Sequence, residues 1–296
     1  MSGDLLAMVR GADRKAYLGL LLAPAQARDD LTALAAFGVE LARIPLTVTE
    51  PSAGEIRFQW WADVIRGGRD AESAGHPVAS AVLAAIDRHA LPREPLARMA
   101  EARSFDLYHD PMGDRDAFET YAGETASVAI QSAARILDPD AAAASADAAG
   151  HAGVFATIVD RLSTVARDRA SGRSFLPRDV LLEAWMSPDD VTSETLDADA
   201  AGRAVQAVAT YANRHRAAFT GAASELPPSL APAFAAAHGR VTDLEAMDRM
   251  GAEIFRRSAP AAPLREQHAV MRTAALFAAG PGLLSGLRER FGRPRS

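Results

Sequence analysis

Apolar residues recur at helical spacing along most of this chain, and this periodicity limits the fold more than any other feature. Between residues 28 and 44 they recur three, four and seven positions apart: Leu31, Leu34, Ala35, Leu41 and Ala42. This spacing places them on one face of a helix. Ala, Leu, Arg and Glu dominate the chain, and these residues lose little side-chain entropy in a helix. The sequence therefore predicts an all-α fold.

Further helices are predicted by breaks and restarts in the same pattern. Pro45, Pro51 and Gly54 interrupt the first stripe, which predicts that its helix ends near Ile44. Later stripes resume the helical spacing. Beyond Pro177 the predicted helices span residues 179–186, 196–219, 232–238, 241–256 and 264–287.

The chain shows no sign of division into several domains. The Ala-rich segment 140–150 lacks the Gly, Ser and Pro content of a flexible linker, so we interpret it as the start of the helix that carries Asp160 and Asp168. No repeat or shift of composition marks a boundary. We predict a single helical domain at residues 13–290 and a flexible tail at residues 291–296.

Composition and charge narrow the classes of partner. A net charge of −6 gives no reason to expect nucleic acid, which usually requires a net basic face. The absence of cysteine excludes disulfides and thiolate zinc sites. No stretch approaches the roughly 20 apolar residues of a membrane span. We predict a cytoplasmic protein, either soluble or peripheral at a membrane.

Segment 155–181 carries the pattern that indicates a family. It reads FATIVDRLSTVARDRASGRSFLPRDVL and resembles the second aspartate-rich region of squalene and phytoene synthases, roughly QLTNILRDxxEDAxxGRxYLPxD. The alignment is anchored on Gly172, Arg173, Leu176, Pro177 and Asp179. In that register Thr164 occupies the position of the first metal-binding aspartate and Asp168 that of the second. Thr157 and Asp160 stand where the family has glutamine and asparagine.

The first aspartate-rich motif of the same family has a counterpart near the start of the chain. The segment LTALAAF at residues 31–37 resembles the family's ALYAF, which leads into a DDxxD motif. Anchoring on Phe37 places Ala42, Arg43 and Leu46 at the three aspartate positions. All three carboxylates of this motif are therefore absent.

The resemblance implies a helical bundle of the isoprenoid-synthase type and allows its chemistry to be judged. Ionising an allylic diphosphate requires Mg²⁺ held by carboxylates from facing helices. Asp168 is the one aligned carboxylate left, enough for a weak metal site at most. Asp160 lies two helical turns away, about 12 Å along the axis, which is too far to share one ion. We expect no cofactor, and Mg²⁺ only if the protein is an enzyme.

Other segments indicate the branch of the family that the chain resembles. These are GEIRFQWWADVI, HPVASAV, EARSFDLY and YAGETASVAIQSAARIL, the last of which begins at the family's pocket residue Tyr121. Together they resemble the phytoene-synthase-like assembly factor of respiratory complex I. The resemblance implies a non-catalytic protein that acts in complex I assembly or binds a lipid or isoprenoid. Its implied partners are a respiratory-complex subunit or assembly protein, a lipid, or a prenyl diphosphate.

An active enzyme is the alternative. It would be a head-to-head prenyltransferase that uses farnesyl or geranylgeranyl diphosphate in isoprenoid or carotenoid biosynthesis. This function requires three or more carboxylates within reach of one ion, supplied by acids outside the aligned motifs. Asp189 and Asp190 follow the second motif, but nothing in their spacing directs them into the pocket.

The remaining acidic groups receive structural interpretations. Asp29 and Asp30 are expected at a helix start, where acids interact favourably with the helix dipole. Asp168 is expected to join a surface cluster with neighbouring arginines. The acidic segment 106–116 does not match the spacing of a calcium loop and is predicted to be a solvated turn.

Overall fold

The computed structural model describes residues 2–278, which contain helices and turns but no strand. The prediction of an all-α fold is confirmed for these residues. The predicted tail at 291–296 and the last part of the predicted helix 264–287 lie outside them. The α-helices are α1 (Ser2–Ala12), α2 (Arg14–Leu22), α3 (Ala25–Thr47), α4 (Pro51–Arg66), α5 (Asp70–Ser73), α6 (Pro77–His89), α7 (Arg93–Ala102), α8 (Arg115–Ala122), α9 (Val128–Leu137), α10 (Pro139–Ala142), α11 (Ala146–Ala170), α12 (Arg178–Glu183), α13 (Pro188–Thr192), α14 (Ala198–Ala223), α15 (Ala231–Gly239), α16 (Val241–Met250) and α17 (Pro263–Ala278).

Short segments of other helical type connect some of these elements. A π-helical segment, Gly123–Ser127, joins α8 to α9 without a break. The 3₁₀ segments are Arg103–Leu107, Ala143–Ser145, Pro228–Leu230 and Gly251–Phe255. None of the described helices is both long and apolar enough to cross a membrane.

Two long helices, α3 and α11, organise the packing. Helix α3 packs against α1, α6 and α9, whereas α11 packs against α14, α15 and α9. Large apolar side chains fill the interior between them, and burying each one removes apolar surface from water. The fully buried phenylalanines are Phe37, Phe58, Phe118, Phe155, Phe219, Phe234 and Phe255.

Helix α3 continues three residues beyond its predicted end. Pro45 lies inside the helix, which ends at Thr47 rather than near Ile44. A proline in a last turn removes one backbone hydrogen bond and can be tolerated if the exposed carbonyls find other donors. The Thr47 hydroxyl supplies one, donating to the carbonyls of Arg43 at 3.2 Å and Ile44 at 3.1 Å.

The Ala-rich segment is helical, as predicted, but it is not one continuous helix with α11. Helix α10 and a 3₁₀ turn precede α11, which begins at Ala146 and carries Asp160 and Asp168. Asp138 caps α10, its carboxylate accepting a hydrogen bond from the Ala141 backbone at 3.1 Å. This cap fixes a separate helix start ahead of α11.

Helix ends after Pro177 follow local backbone signals. Helix α16 stops at Met250, six residues before the predicted end at 256, because Gly251 adopts a left-handed φ of 54°. The predicted helix 196–219 is observed as α14, which extends to Ala223. The predicted helix 232–238 is observed as α15.

Two helices, α1 and α2, precede α3. Leu5 and Val9 of α1 are buried in the same apolar cluster as α3. Asp13, where the predicted domain begins, separates α1 from α2 and accepts hydrogen bonds from the Lys15 and Ala16 backbones, both at 2.9 Å. This cap directs α2 toward α15, against which it packs.

Candidate functional site

A cavity of about 1130 Å³ lies between α1, α2, α3, α9, α11 and α15. Part of its wall is apolar and includes Val9, Leu31, Leu34, Val39, Met99 and Ile130. The structure brings together around this cavity every position that sequence analysis assigned to a degenerate pocket: Ala42, Arg43, Leu46, Tyr121, Thr157, Asp160, Thr164, Asp168 and Arg173.

Asp168 is buried in the cavity wall, only 2% exposed, so its predicted place in a surface cluster is wrong. Its carboxylate accepts a hydrogen bond from the Thr164 hydroxyl at 2.6 Å and lies 3.4 Å from the Arg167 guanidinium. The turn at Gly172, with φ of 68°, follows α11 and leads into the buried segment 174–177. Within this turn the Arg173 backbone donates to the Asp168 carbonyl at 2.8 Å.

Asp160 is engaged by a cation from a distant part of the chain. Arg240 donates to both of its carboxylate oxygens at 2.7 and 3.0 Å, and also to Asp13 at 2.8 Å. Burial alone would lower the pKa of Arg240, but the charges of Asp13 and Asp160 hold it well above its ordinary value. Burial likewise favours a higher pKa for Asp13, yet Arg240 makes its net shift downward.

Helix α3 supplies no carboxylate to the aligned metal positions. Ala42, Arg43 and Leu46 face the cavity there. The prediction that Asp29 and Asp30 mark a helix start is wrong, because α3 begins one turn earlier, directly after Pro24. Asp30 is instead buried against α6. There it accepts a hydrogen bond from Arg88 and lies 2.8 Å from the Nε2 atom of His89.

The side chains around the cavity do not fit the Mg²⁺ cluster that the resemblance implies. Magnesium requires several oxygen ligands in near-octahedral geometry. Within residues 2–278 no three His, Asp or Glu side chains converge in a way that could hold a metal ion. The two acids on the aligned face of α11 are occupied by Arg240 and by Thr164 with Arg167. We therefore derive no step through a metal.

Asp106 is a site residue that sequence analysis missed. It was predicted in a solvated turn but lies in the 3₁₀ segment after α7, 6% exposed. The Tyr121 hydroxyl donates to it at 2.9 Å and Arg161 donates at 2.5 Å. Burial, followed by the negative charge of Asp106, raises the pKa of Tyr121 to about 12. Arg103, one turn before Asp106, was the available signal for a partner in the sequence.

Two further arginines approach Asp106 without close pairing. The Nη1 atom of Arg103 is 3.5 Å from the Asp106 carboxylate, and Arg173 Nη1 donates to the Asp106 backbone carbonyl at 3.4 Å. The Nε atoms of Arg103 and Arg173 are buried and have no hydrogen-bond partner within the described residues. Arg161 stacks over the Phe175 ring, with its guanidinium carbon 4.2 Å from the ring centre.

Comparison with known proteins agrees with this architecture. The family profile described as squalene/phytoene synthase matches residues 9–266. The chain belongs to the squalene/phytoene synthase family. A crystal structure of a dehydrosqualene synthase in complex with ligand superposes with a TM-score of 0.78 at 14% identity, covering 94% of this chain and 96% of that one. The isoprenoid-synthase fold that the resemblance implied is thereby confirmed.

Curated relatives of this squalene/phytoene synthase family member are named as assembly factors rather than as synthases. A Rattus norvegicus protein called NADH dehydrogenase (ubiquinone) complex I, assembly factor 6, is 28% identical over 250 residues, which cover 84% of this chain and 74% of the relative. The Bos taurus protein of the same name is 29% identical over 229 residues, covering 77% and 68%. The predicted similarity to the assembly-factor branch is confirmed.

Proposed function

We propose that this protein is a non-catalytic member of the squalene/phytoene synthase family that acts in the assembly of respiratory complex I. The observation that carries the proposal is the state of the aligned aspartate positions. Alanine, arginine, leucine and threonine occupy four of them, at Ala42, Arg43, Leu46 and Thr164. None of these side chains offers the anionic oxygens that hold Mg²⁺ against a diphosphate.

The acids that remain in the cavity support the same proposal. Asp160 and Asp168 are held by internal hydrogen bonds to Arg240 and Thr164. Metal binding would have to break these contacts and leave the buried Arg240 poorly paired, which is costly. We propose that the protein works without a bound metal ion.

The names of the curated relatives support an assembly role. The proposed partner is a subunit or assembly protein of a respiratory complex. Because that complex is embedded in a membrane, the proposed location is the surface of the inner membrane. Binding there would be peripheral.

A turnover assay tests the absence of catalysis. Purified protein is incubated with farnesyl or geranylgeranyl diphosphate, with Mg²⁺ or with EDTA, and the mixture is extracted for coupled hydrocarbon products. We expect no product in any mixture, because the carboxylates that hold the metal are missing. Mg²⁺-dependent formation of a coupled product would establish the alternative function, an active prenyltransferase.

A genetic experiment tests the assembly role. The gene is deleted in the source organism, and complex I is followed by native gel electrophoresis and NADH oxidation in membranes. We expect loss of the full-size complex, restored by the wild-type gene and also by Asp168→Asn, which keeps an acceptor for Thr164 but removes the last aligned carboxylate. Normal complex I in the deletion strain would refute the assembly role. Rescue by the wild type but not by Asp168→Asn, with equal protein levels, would contradict the non-catalytic part.

A further inference from the structure

Two large apolar residues are exposed where α12 ends, on the outside of the molecule and away from the cavity. Trp185 is 85% exposed, and Leu182, three positions before it, is 51% exposed. Scattered single apolar residues at a surface need no explanation, but adjacent ones can mark a contact with another molecule. Tryptophan is also the residue type that most often dominates binding energy in protein interfaces. This part of the surface is therefore a candidate for partner binding.

The backbone that carries Trp185 is fixed on several sides. The Met186 backbone donates to the Leu181 carbonyl at 3.1 Å, and both of these residues are buried. From α14, the Nε atom of Arg203 donates to the Ala184 carbonyl at 3.3 Å. The turn is thus held in place by the rest of the fold. A fixed turn loses little conformational entropy when a partner binds to it.

The same part of the chain carries a concentrated negative charge. Residues 178–199 contain seven acids and one basic residue, Arg178, so their net charge is −6. The whole chain also has a net charge of −6, which means that the remaining residues are neutral in sum. Six of the seven acids are exposed: Glu183, Asp189, Asp190, Glu194, Asp197 and Asp199. The exposed apolar residues therefore lie in the acidic part of the molecule.

Acids approach the Trp185 turn from two helices. Asp189 and Asp190 lie in the first turn of α13, four and five positions after Trp185. Asp199 lies in the first turn of α14, four residues before Arg203 and on the same face of the helix. Because Arg203 is bonded to the Trp185 turn, the start of α14 lies beside that turn. Negative charge thus flanks the exposed indole.

Most of these acids have no cation within the described residues. Arg115 pairs with Asp179 and with Glu183, both at 2.6 Å. The five acids from Asp189 to Asp199 form no ion pair inside the described part of the chain. Their charge is available to attract and orient a cationic partner.

The sign of this charge distinguishes among the occupants that an exposed apolar surface could have. Surfaces that bind anionic membranes combine apolar residues with Lys and Arg, which is the opposite sign. A second copy of this chain in a two-fold contact would place like charges opposite each other. A protein segment that carries both apolar side chains and Lys or Arg complements the two features at once.

We propose that Leu182 and Trp185, together with Asp189, Asp190 and Asp199, form a docking surface for a basic amphipathic segment of a partner protein. We call it the Trp185 surface. Apolar side chains of the partner contact the indole and the leucine, and its Lys and Arg side chains pair with the three aspartates. The inference rests on the proposed function in one respect, namely that the protein acts by binding another protein.

Titration with a synthetic amphipathic helical peptide built of leucine and lysine tests the Trp185 surface. The matched peptide carries glutamate in place of lysine. We expect the lysine peptide to bind the wild type, to shift tryptophan emission to shorter wavelength, and to bind less tightly as salt is raised. The glutamate peptide should bind about tenfold more weakly or worse. By calorimetry, Trp185→Ala should weaken binding of the lysine peptide by about tenfold to a hundredfold.

Matched variants separate this surface from general effects of charge and exposure. Asp189→Asn combined with Asp199→Asn should weaken binding of the lysine peptide by about tenfold. Asp140→Asn combined with Glu225→Gln removes the same charge at two exposed acids elsewhere and should bind like the wild type. Leu264→Ala, which truncates an apolar residue 82% exposed on α17, should also bind like the wild type. Melting curves show whether each variant is folded.

Photo-crosslinking tests the natural partner. A benzophenone amino acid replaces Trp185 in the source organism, and the crosslinked peptide is sequenced by mass spectrometry. We expect a protein segment that is basic and contains apolar residues, and no such crosslink when the same amino acid replaces Leu264. A crosslink to an acidic segment, or none to any protein, would contradict the proposal.

Four results of the binding experiments would overturn it as well. These are equal binding of the lysine peptide by the wild type and Trp185→Ala, equal binding of the two peptides, a shift of Trp185 emission by phosphatidylglycerol vesicles, and self-association that Trp185→Ala abolishes. The last two would identify a membrane or a second copy as the occupant. Peptide binding is measured without turnover or complex I, so this inference and the proposed function can fail separately.

Discussion

Trp185 is exposed to solvent and has a left-handed backbone conformation. The residue is 85% exposed, and its backbone has a left-handed φ of 58° in the turn between α12 and α13. A residue with a Cβ atom in this conformation costs roughly 1–2 kcal/mol, whereas glycine adopts it readily. The fold therefore carries local strain at Trp185 without burial of the ring to offset it.

Replacing Trp185 with glycine tests this strain. We expect Trp185→Gly to leave stability unchanged or to raise it by up to about 1 kcal/mol, because the relief of strain outweighs the added freedom of the unfolded chain. Urea unfolding followed by circular dichroism gives the free energy. A loss of more than about 1 kcal/mol would show that the exposed ring makes a stabilising contact. Trp185→Ala, which keeps the strained Cβ, should not gain stability.

His238 is the residue most directly tied to acid sensitivity. Burial, then the charges of Arg272 and Arg216, lower the pKa of His238 to about 4, and its Nδ1 atom is buried without a partner among the described residues. The unfolded chain keeps a pKa near 6.5, so on acidification it takes up the proton first. The stability contributed by neutral His238 is fully present above about pH 6.5 and is lost progressively toward pH 4.

Replacing His238 with a residue that does not titrate should reduce the dependence of stability on pH. We expect the melting temperature of the wild type to fall between about pH 7.5 and pH 5, and that of His238→Leu to fall less. Some dependence should remain, because burial also lowers the pKa of His215. Scanning calorimetry at both pH values measures the difference. An identical fall in both proteins would show that folding does not lower the pKa of His238.

Helix α11 is the element that assembles the site. Thr157, Asp160, Thr164 and Asp168 follow one another at spacings of three and four residues, so they share the face that lines the cavity. Gly153, one turn before Thr157, lies where the helix has no room for a side chain. A Cβ atom there would lie 2.1 Å from the Ser127 Oγ atom and 2.6 Å from its backbone nitrogen.

Two glycines of α11 form a matched pair for testing this close approach. Gly153→Ala should destabilise the protein by about 1–3 kcal/mol, because the π-helical segment at Ser127 has to move. Gly150→Ala should instead stabilise it by up to about 1 kcal/mol, since an added Cβ at Gly150 meets nothing within 4 Å and alanine favours the helix. Urea denaturation of both variants gives the two values. Opposite signs are expected, and a stabilising Gly153→Ala would contradict the close packing.

At the scale of the whole molecule, Arg240 connects parts of the chain that are far apart in sequence. It follows α15 and binds Asp13, which caps α2, together with Asp160 on α11. The residues Arg240 and Asp13 are 227 positions apart. These ion pairs tie the start of α2 to α11 beside the cavity.

Removing the Arg240 guanidinium should therefore lower the free energy of unfolding of the whole protein. Arg240→Met is expected to cost about 2–4 kcal/mol, somewhat below the cost of breaking a fully buried pair, because Asp160 is half exposed. Arg66→Gln serves as the control. Its pairs with Glu94 and Glu101 lie on the surface, so its melting temperature should change little. A fall of similar size in both variants would contradict a special role for Arg240.

Much of the fold could be predicted from local sequence patterns. The helix ends that were predicted wrongly also have local causes. Helical periodicity predicted an all-α chain, and motif spacing grouped the nine positions that the cavity brings together. Helix ends were less accurate. Thr47 extends α3 past Pro45 by satisfying exposed carbonyls, and Gly251 ends α16 early. Single capping contacts of this kind decide a boundary without altering the periodicity on either side.

The sequence by itself determined the fold class and the loss of the aligned carboxylates, because both depend on residue type and on spacing within one helix. The charge partners were decided by tertiary structure alone. Arg161 meets Asp106 across 55 residues, and Arg240 meets Asp13 across 227. Whether an acid is a solvated surface group or a buried one depends on which distant helix covers it. For this reason Asp106 and Asp168 were placed at the surface from sequence and lie in the cavity wall.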